Sequence, residues 1–296
     1  MKQFSVSFPG QLWFNIPMGT LYLVATPIGN LEDLSPRALR ILREACLIAA
    51  EDTRVTRKLL AHFDLHTPLT SYFEHNKLTK LNSILAALAQ GNVALASDAG
   101  TPAINDPGYE LVRAALQAGY SVCPIPGPSA PVAALAASGL PTDAFLYLGY
   151  LPRRSSERRE MLGQIVDLPY TLVFLESPHR LLAGLADLQS SLGDRQIAIA
   201  RELTKVHEQI WRGTISAAST YFINNEPRGE FTLVVEGNRE APRRELTPEI
   251  EAGLRAMKMS GMPAREAMVK MTAQSGLARK ELYRAWLRLG RAPDES

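Results

Sequence analysis

The chain has 296 residues and a net charge of +2, with 46% hydrophobic and 21% charged residues. These values are typical of a globular protein of about two domains, and they exclude a uniformly basic protein that coats nucleic acid. No apolar run approaches the roughly 20 residues that cross a bilayer, and the N-terminal segment lacks the apolar core of a signal peptide. We interpret the two cysteines, Cys46 and Cys123, as small buried residues in a reducing compartment, which favours a cytoplasmic protein without membrane contact.

Strand and helix patterns alternate through the first half of the chain. Short apolar runs predict strands at 20–25, 47–50, 69–73, 93–96 and 120–125. Helical spacing predicts a helix after Ser35 and further helices at 55–63, 78–89, 109–118 and 130–137. Asp106 before Pro107 has the pattern of an N-cap for the helix at 109–118. This alternation predicts a mostly parallel sheet that is covered on both faces.

A second set of elements follows a Gly- and Pro-containing linker at 138–142. Strands are predicted at 145–149, 170–175, 196–200 and 231–235, with helices at 155–165 and up to residue 192. The segment 246–289 is predicted helical, and helices at 263–272 and 278–289 form a helix-turn-helix pattern. The predicted organisation is a loose tail (1–18), two α/β domains (19–141 and 142–240) and a basic helical domain (245–292).

Charge is distributed unevenly between these parts. Nine basic and only two acidic residues lie between Arg255 and Arg291, so the remainder of the chain is net acidic. Such asymmetry indicates a basic appendage on a mildly acidic body.

Several familiar nucleotide and metal motifs are missing from the sequence. There is no G-x-x-x-x-G-K-[ST] motif, no G-x-G-x-x-G after the first strand, and no G-x-S-x-G nucleophile motif. The five histidines lack zinc-binding spacing, so no metal site is predicted. These absences argue against triphosphate, dinucleotide, hydrolase and zinc chemistry.

Loops rich in Gly, Pro and small polar residues follow the predicted strands instead. They occupy 26–30, 51–54, 97–101, 126–130, 176–180 and 201–205. We expect parallel strands in both domains, which would bring the loops of each domain to one edge of its sheet. Ligands of open α/β sheets bind at the carboxyl ends of the strands, so the loops of the two domains are expected to face each other across a cleft. No charged cradle for phosphates is evident, which favours a neutral or cationic ligand that carries a purine or ribose.

These loops resemble the tetrapyrrole methylase superfamily, in its branch that methylates small-subunit ribosomal RNA. The resemblance rests on Thr-Pro-Ile-Gly-Asn at 26–30, Ala-Glu-Asp-Thr-Arg at 50–54, Ser-Asp-Ala-Gly-Thr-Pro-Ala-Ile-Asn-Asp-Pro-Gly at 97–108, Pro-Gly-Pro-Ser-Ala at 126–130, Glu-Ser-Pro-His-Arg at 176–180 and Arg-Glu-Leu-Thr-Lys at 201–205. It implies two α/β domains with a cofactor cleft between them, S-adenosylmethionine as methyl donor, and a homodimer. The implied reaction is 2′-O-methylation of a cytidine ribose in the decoding region of 16S rRNA.

The strand-end loops supply the candidate site residues. Candidates for cofactor contact are Pro27, Ile28, Gly29, Asp98, Ala99, Gly100, Thr101, Pro126, Gly127, Ser129, Ala130, Ser177 and His179. Because a ribose hydroxyl is a poor nucleophile, a base or a cation that stabilises an alkoxide is also expected. The candidates for that catalytic role are Glu51, Asp52, Arg201, Glu202 and Lys205.

The RNA partner is expected to meet basic side chains in two regions. The candidate RNA-binding residues are Arg153, Arg154, Arg180, Lys270, Arg279, Lys280 and Arg284. Two alternatives remain at this point. The first is a methylase of a small tetrapyrrole, against which the non-glycine-rich first loop and the basic tail count. The second is a nucleic-acid-binding regulator without catalysis, which the intact loops disfavour.

Overall fold

A computed structural model describes residues 19–238, 246–275, 277 and 279–289. The predicted loose tail at 1–18 lies outside these residues. The described chain forms two compact units, one made of residues up to 166 together with 170–237, and the other made of residues 167–169 and the chain after 237.

The first unit begins with a parallel five-stranded sheet in the order β3-β2-β4-β1-β5. Its strands are β1 (Thr20–Val24), β2 (Leu47–Ala50), β3 (Leu69–Ser71), β4 (Val93–Ala96) and β5 (Ser121–Ile125). The connecting helices are α1 (Pro36–Glu44), α2 (Thr53–His62), α3 (Lys77–Leu88), α4 (Tyr109–Gln117) and α5 (Ala130–Ser138). The alternation therefore produces the parallel sheet that the sequence predicts.

Helices cover both faces of this sheet. Ala94 and Ala96 of β4 pack with residues of α1 and α2, whereas Val93 and Leu95 pack with residues of α3 and α4. Because alternate side chains of a strand point to opposite faces, β4 is apolar at every position. Cys46, in contrast, is exposed, because α1 ends at Glu44. The prediction that both cysteines are buried is wrong, because Cys46 is exposed and Cys123 is only partly buried.

A second five-stranded sheet has the order β6-β7-β10-β8-β9. Its strands are β6 (Phe145–Tyr150), β7 (Thr171–Glu176), β8 (Gln196–Arg201), β9 (Gln209–Thr214) and β10 (Phe231–Val235). Only β6 and β7 are parallel, because β10 runs antiparallel to both β7 and β8, and β9 runs antiparallel to β8. The expectation of a parallel sheet is wrong for this half.

Three helices accompany this sheet, namely α6 (Ser155–Ile165), α7 (Leu181–Leu192) and α8 (Ile215–Asn224). Strand β9 and helix α8 were not predicted. They form a tight strand-to-helix unit in which Thr214 ends the strand and also caps the helix by accepting from the Ala217 amide at 3.3 Å. Residues 209–214 show little alternation of apolar and polar side chains, so the formation of β9 depends on its pairing with β8.

Helix α5 joins the two sheets into one body. Ala134 and Leu135 of α5 pack against Val173, Ala198 and Val234 of the second sheet. The Arg212 guanidinium of β9 closes the contact by donating to the Ser138 carbonyl at 3.1 Å and to the Ala137 carbonyl. Only this side of α5 is covered, because Val132, Ala133 and Ala136 are exposed although the helix is apolar throughout.

The second compact unit is a small helical bundle. It contains α9 (Pro248–Met259), α10 (Ala264–Ser275) and α11 (Arg279–Arg288). Leu254, Met268, Met271, Leu282 and Trp286 form its core. Trp286 is therefore a packing residue, whereas Tyr283 one turn earlier is exposed. The two helices predicted near the C-terminus are present as α10 and α11.

Candidate functional site

Two strand-end loops of the first sheet are joined by main-chain hydrogen bonds. Thr26 and Gly100 exchange both bonds, with N–O distances of 2.9 and 3.0 Å, and the Thr26 hydroxyl donates to the Ser97 carbonyl at 3.1 Å. Gly100 has φ +82°, and a Cβ at this position would lie 3.4 Å from Ile28 Cγ2. Glycine is thus favoured at this position by the left-handed backbone, whereas the distance to Ile28 would allow a Cβ.

The second sheet presents its loops at an equivalent edge. Because β10 lies antiparallel between β7 and β8, those two strands end together, and Phe231 at the start of β10 pairs with both Glu176 and Arg201. Glu176 is fully buried and forms an ion pair with Arg180 at 2.7 Å. The loops at 176–180 and 201–205 therefore meet at one edge, although the sheet is not parallel.

The loops of the two sheets enclose one cavity of about 260 Å³, which we call the central cleft. Its lining includes the predicted cofactor residues Ile28, Asp98, Ala99, Gly100, Thr101, Ser129 and Ala130, and the predicted catalytic residue Glu51. Pro126 and Gly127 lie behind this wall, where a Cβ on Gly127 would be 2.9 Å from the Cβ of Ala25. The structure thus brings together about half of the predicted cofactor residues.

The N-terminus of α5 opens onto the central cleft. Ser129 occupies the N-cap position, but its hydroxyl makes no capping hydrogen bond. The preceding loop is held by the Thr101 hydroxyl, which donates to the Pro128 carbonyl at 3.4 Å. Unpaired amides at a helix N-terminus favour an anionic or hydroxyl-bearing group.

Three carboxyl groups line the same side of the central cleft. Glu51 Oε2 accepts from the Asp98 amide at 3.3 Å, and Asp98 Oδ1 accepts from the Asp52 amide at 2.9 Å. Burial raises the pKa of Glu51 and of Asp98. Burial, together with repulsion from Glu51, raises the pKa of Asp106 to about 6. Such a cluster favours a cationic ligand, because the cation would offset both the burial and the mutual repulsion.

Asp106 is not the helix cap that the sequence predicts. Helix α4 begins at Tyr109 with Gly108 at its N-cap, two residues further on. The backbone of this loop is left-handed at Ala103 (φ 68°) and Asn105 (φ 64°), which turns Asp106 into the cleft. The Asp-Pro pattern is ambiguous, since it is equally compatible with a turn.

The remaining catalytic candidates are engaged in ion pairs or main-chain contacts. Asp52 caps α2 and binds Arg54 at 2.6 Å, which lowers the pKa of Asp52 to about 2. Lys205 bridges Glu202 at 2.9 Å and Glu230 at 3.0 Å. Arg201 donates to the Arg228 carbonyl at 2.7 Å. Of the five candidates, only Glu51 lines the central cleft.

The loop at 201–205 supports the cleft from outside. Glu202 (φ 50°) and Thr204 (φ 66°) have left-handed backbone, and Leu203 between them lines the cleft. A Cβ on Gly29 would lie 2.4 Å from Lys205 Cγ, so the loop at 26–30 packs directly on this segment. The ion pairs of Glu202 and Lys205 thus hold the wall in place.

Ser177, His179 and Arg180 form a separate polar cluster at the end of β7. The Ser177 hydroxyl lies 3.3 Å from His179 Nε2 and accepts from Arg180 Nε at 3.0 Å. Arg180 also donates to the Leu151 carbonyl at 3.2 Å. None of the three side chains lines the central cleft, and Arg180, predicted to bind RNA, is committed to protein contacts.

Pro27 and Gly29 line a second cavity, of about 250 Å³, which we call the α2 cavity. Its lining consists of Thr26, Pro27, Gly29, Leu31, Val55, Thr56, Lys58, Leu59, Ser97 and Asp98. Asp98 belongs to the lining of both cavities.

The other predicted RNA-binding residues are exposed. Arg153 and Arg154 lie on the surface before α6, although Arg154 pairs with Glu157 at 3.2 Å. The neighbouring Arg158, in contrast, is buried in an ion pair with Asp187 and is unavailable for RNA. In the helical unit, exposed positions are held by Lys270, Arg279, Lys280 and Arg284.

Sequence reasoning missed several residues of the central cleft. They are Ile104, Asn105 and Asp106 from the loop after β4, Tyr147 and Tyr150 from β6, Glu176 from β7, and Glu230 to Thr232 at the start of β10. The β10 residues were missed because a parallel sheet would place the start of a strand at the opposite edge. Tyr150 could have been suspected from the sequence, because it is an aromatic residue at the end of a strand and directly before Leu-Pro.

Among the described residues, no group of three His, Cys, Asp or Glu side chains is arranged to hold a metal ion. Within the same part of the chain, no helix is long and apolar enough to cross a membrane.

Two α/β sheets with a cleft between their loop edges are an architecture that comparison with known proteins places among the methylases. A sequence profile of the tetrapyrrole (corrin/porphyrin) methylases matches residues 20–219. The ribosomal RNA small subunit methyltransferase I of Synechocystis sp. is 53% identical over 222 residues, or 74% of this chain and 80% of that protein. The protein of the same name from Halalkalibacterium halodurans is 54% identical over 223 residues, which cover 75% of this chain and 77% of that protein.

A solved structure shows the same fold at lower identity. Uroporphyrin-III C-methyl transferase from Thermus thermophilus, complexed with S-adenyl homocysteine, matches with a TM-score of 0.51 and 21% identity over 74% of this chain and 97% of that chain. The chain therefore belongs to the tetrapyrrole methylase family, in the branch of ribosomal RNA small subunit methyltransferase I. The predicted fold class and the resemblance found in the sequence are confirmed.

Proposed function

We propose that the protein is an S-adenosylmethionine-dependent methyltransferase that methylates the 2′-oxygen of a cytidine ribose in the decoding region of small-subunit rRNA. The coarser part, methylation of small-subunit rRNA, follows from its family branch, whose members share about half of its residues. The observation that carries the cofactor assignment is the central cleft, where Glu51, Asp98 and Asp106 form a cluster of carboxyl groups on one side of the space between the two sheets.

The residues of the central cleft suit this cofactor. Glu51, Asp98 and Asp106 provide negative charge for a sulfonium. The free Ser129 hydroxyl and the α5 N-terminus provide donors for a carboxylate or ribose. When bound, S-adenosylmethionine supplies an electrophilic methyl group whose leaving group, a neutral thioether, needs no acid.

Glu51 is the residue best placed to act as the base. It is the one predicted catalytic residue in the cleft, and its raised pKa brings it closer to the value at which a carboxylate accepts a proton efficiently. Glu51 Oε2 is held by the Asp98 amide, which leaves Oε1 for the ribose hydroxyl. Holding the two reactants together supplies much of the remaining acceleration.

The test is methylation of small ribosomal subunits by the purified protein with labelled S-adenosylmethionine, followed by mapping of 2′-O-methyl groups on the rRNA. One methylated cytidine in the decoding region is expected. Free rRNA in a parallel reaction shows whether the assembled subunit is required, and a tetrapyrrole substrate tests the alternative. Labelling of the tetrapyrrole but not of rRNA would overturn the proposal.

The proposal also covers the oligomeric state of the protein and its location in the cell. We propose a homodimer that works in the cytoplasm, where ribosomal subunits mature. Light scattering at several protein concentrations should give the mass of two chains, and a single-chain mass at all concentrations would refute the dimer.

A further inference from the structure

The α2 cavity has the lining expected of a site for a flat, partly polar ligand. One side is apolar and formed by Pro27, Leu31, Val55 and Leu59, while Thr26, Thr56, Ser97 and Asp98 add polar groups. Its volume of about 250 Å³ is near the lower end of the ~300–1,000 Å³ that small-molecule sites occupy. A cavity of this size accommodates a single ring system.

Thr56 is the feature that points to a ligand. The residue is 2% exposed and lines the cavity, yet its hydroxyl has no hydrogen-bond partner within the described chain. An unmade hydrogen bond on a buried hydroxyl costs free energy, and a ligand that supplied a polar edge would recover it. Thr220, in contrast, lies on α8 outside both cavities and bonds back to the Ser216 carbonyl at 3.1 Å.

The rim of the α2 cavity carries positive charge and exposed apolar groups. Lys58 lines the rim, is exposed, and pairs with no acidic side chain in the described ranges. Arg57 is exposed beside it on the same helix. Leu31 and Val55 are 38% and 40% exposed. Cations next to apolar surface suit a ligand with a flat face and a phosphate backbone.

The α2 cavity adjoins the central cleft at Asp98, which lines both. The Asp98 carboxylate is fixed by the Asp52 amide, and its own amide is fixed by Glu51. A nucleotide with its base in the α2 cavity would thus carry its ribose toward the carboxyl groups of the central cleft. That direction is required of a substrate whose ribose reacts there.

We infer that the α2 cavity receives the base of the target nucleotide, a pyrimidine turned out of its RNA stack, and that Thr56 hydrogen-bonds its polar edge. This inference rests on the proposed rRNA methylation and adds to it the place where the target base is recognised. Proteins commonly read RNA bases that are splayed out from loops, so a cavity of one ring's size is sufficient.

The first experiment replaces Thr56 by valine, which keeps the shape and removes the hydroxyl. We expect kcat/KM for the small ribosomal subunit to fall roughly threefold to tenfold, the worth of one neutral hydrogen bond. The affinity for S-adenosylmethionine, measured by calorimetry, is expected to stay unchanged. Thr220→Val is the matched control and should leave both values at the wild-type level.

A second variant, Val55→Phe, fills the cavity from its rim. It should nearly abolish rRNA methylation while S-adenosylmethionine binding and the melting temperature remain close to wild type. In addition, rRNA with 4-thiouridine in place of the target cytidine should cross-link to the peptide that contains residues 53–59.

The outcomes separate this inference from the proposed function. An active wild type with unchanged kcat/KM in Thr56→Val and full activity in Val55→Phe would overturn the base-binding role alone. Weakened S-adenosylmethionine binding in both variants would assign the cavity to the cofactor and overturn it as well. A wild type that methylates no rRNA refutes the proposed function, and with it this inference.

Discussion

Asp106 is a lining residue of the central cleft whose ionised form is destabilised by burial and by neighbouring carboxyl groups. Its carboxyl group is partly buried near Glu51 and Asp98, and its pKa is raised to about 6. The folded protein therefore binds this proton more tightly than the unfolded chain, whose Asp has a pKa near 3.8. The free energy of unfolding accordingly falls as the pH rises from about 4 to about 6.

We predict that Asp106→Asn raises the melting temperature at pH 7 and weakens S-adenosylmethionine binding. The amide removes a charge that is repelled in the free protein but attracts the sulfonium. S-adenosylhomocysteine, which lacks the positive charge, should bind with little change. Thermal unfolding at pH 5 and pH 7.5 and calorimetry with both ligands provide the measurements. Equal losses for the two ligands would contradict the electrostatic explanation.

A second prediction at the scale of single residues concerns Glu51. Glu51→Gln should lower kcat by at least ~10²-fold, the usual contribution of a general base. In the wild type the rate should decline as the pH falls through the raised pKa of Glu51, because the protonated carboxyl cannot accept a proton. That decline should be absent from the residual activity of the variant. Glu44→Gln, at an exposed ion pair on α1, is the control.

The contact between the loops at 26–30 and 201–205 is tested best at the scale of elements. We predict that Gly29→Ala weakens S-adenosylmethionine binding about tenfold, since overpacking of a tight contact costs ~1–3 kcal/mol. The added Cβ would meet Lys205 Cγ at 2.4 Å and Thr204 Oγ1 at 2.8 Å, so one wall of the cleft must shift.

The matched control for this contact is Gly163→Ala, on α6, where a Cβ meets nothing within 4 Å. It should stabilise the protein slightly through helix propensity and leave cofactor binding intact. If Gly29→Ala bound the cofactor as tightly as the wild type, the packing of the two loops would have no effect on cofactor binding.

At the scale of the whole molecule, the basic helical unit is expected to bind the rRNA backbone. Replacing Lys270, Arg279, Lys280 and Arg284 by alanine should make the affinity for rRNA less dependent on salt. The slope of log affinity against log salt concentration should become less steep by roughly 0.7–0.9 for each lost phosphate contact. S-adenosylmethionine affinity should not change, because the residues proposed to bind the cofactor lie in the other unit. Arg43→Ala with Arg113→Ala, two exposed cations of the first unit, is the control.

Local sequence determined the first sheet and most of the loops around the cleft. Strand β4 and its loop were identified because four apolar residues followed by a segment with Asp, Gly and Pro are compatible with few other local structures. The positions of α6 and β10 were predicted without error, and that of α4 to within one residue. The family branch followed from the same loops, since ligand loops depend on particular residues at particular places.

Only the tertiary structure decided which of these residues meet. Strand β10 inserts antiparallel between β7 and β8, a pairing over distance that no local pattern encodes, and it brings Glu230 and Phe231 to the cleft. The left-handed backbone at Ala103 and Asn105 turned Asp106 from an expected helix cap into a cleft carboxyl group. Some side-chain roles depended on a partner further along the chain, because Glu230 accepts from Lys205 with its carboxylate and donates its amide to Glu202. Of the predicted catalytic residues, only Glu51 lines the cleft. Hydrophobic periodicity determines local elements, whereas packing between distant segments determines burial, and burial decides which charged groups are available for chemistry.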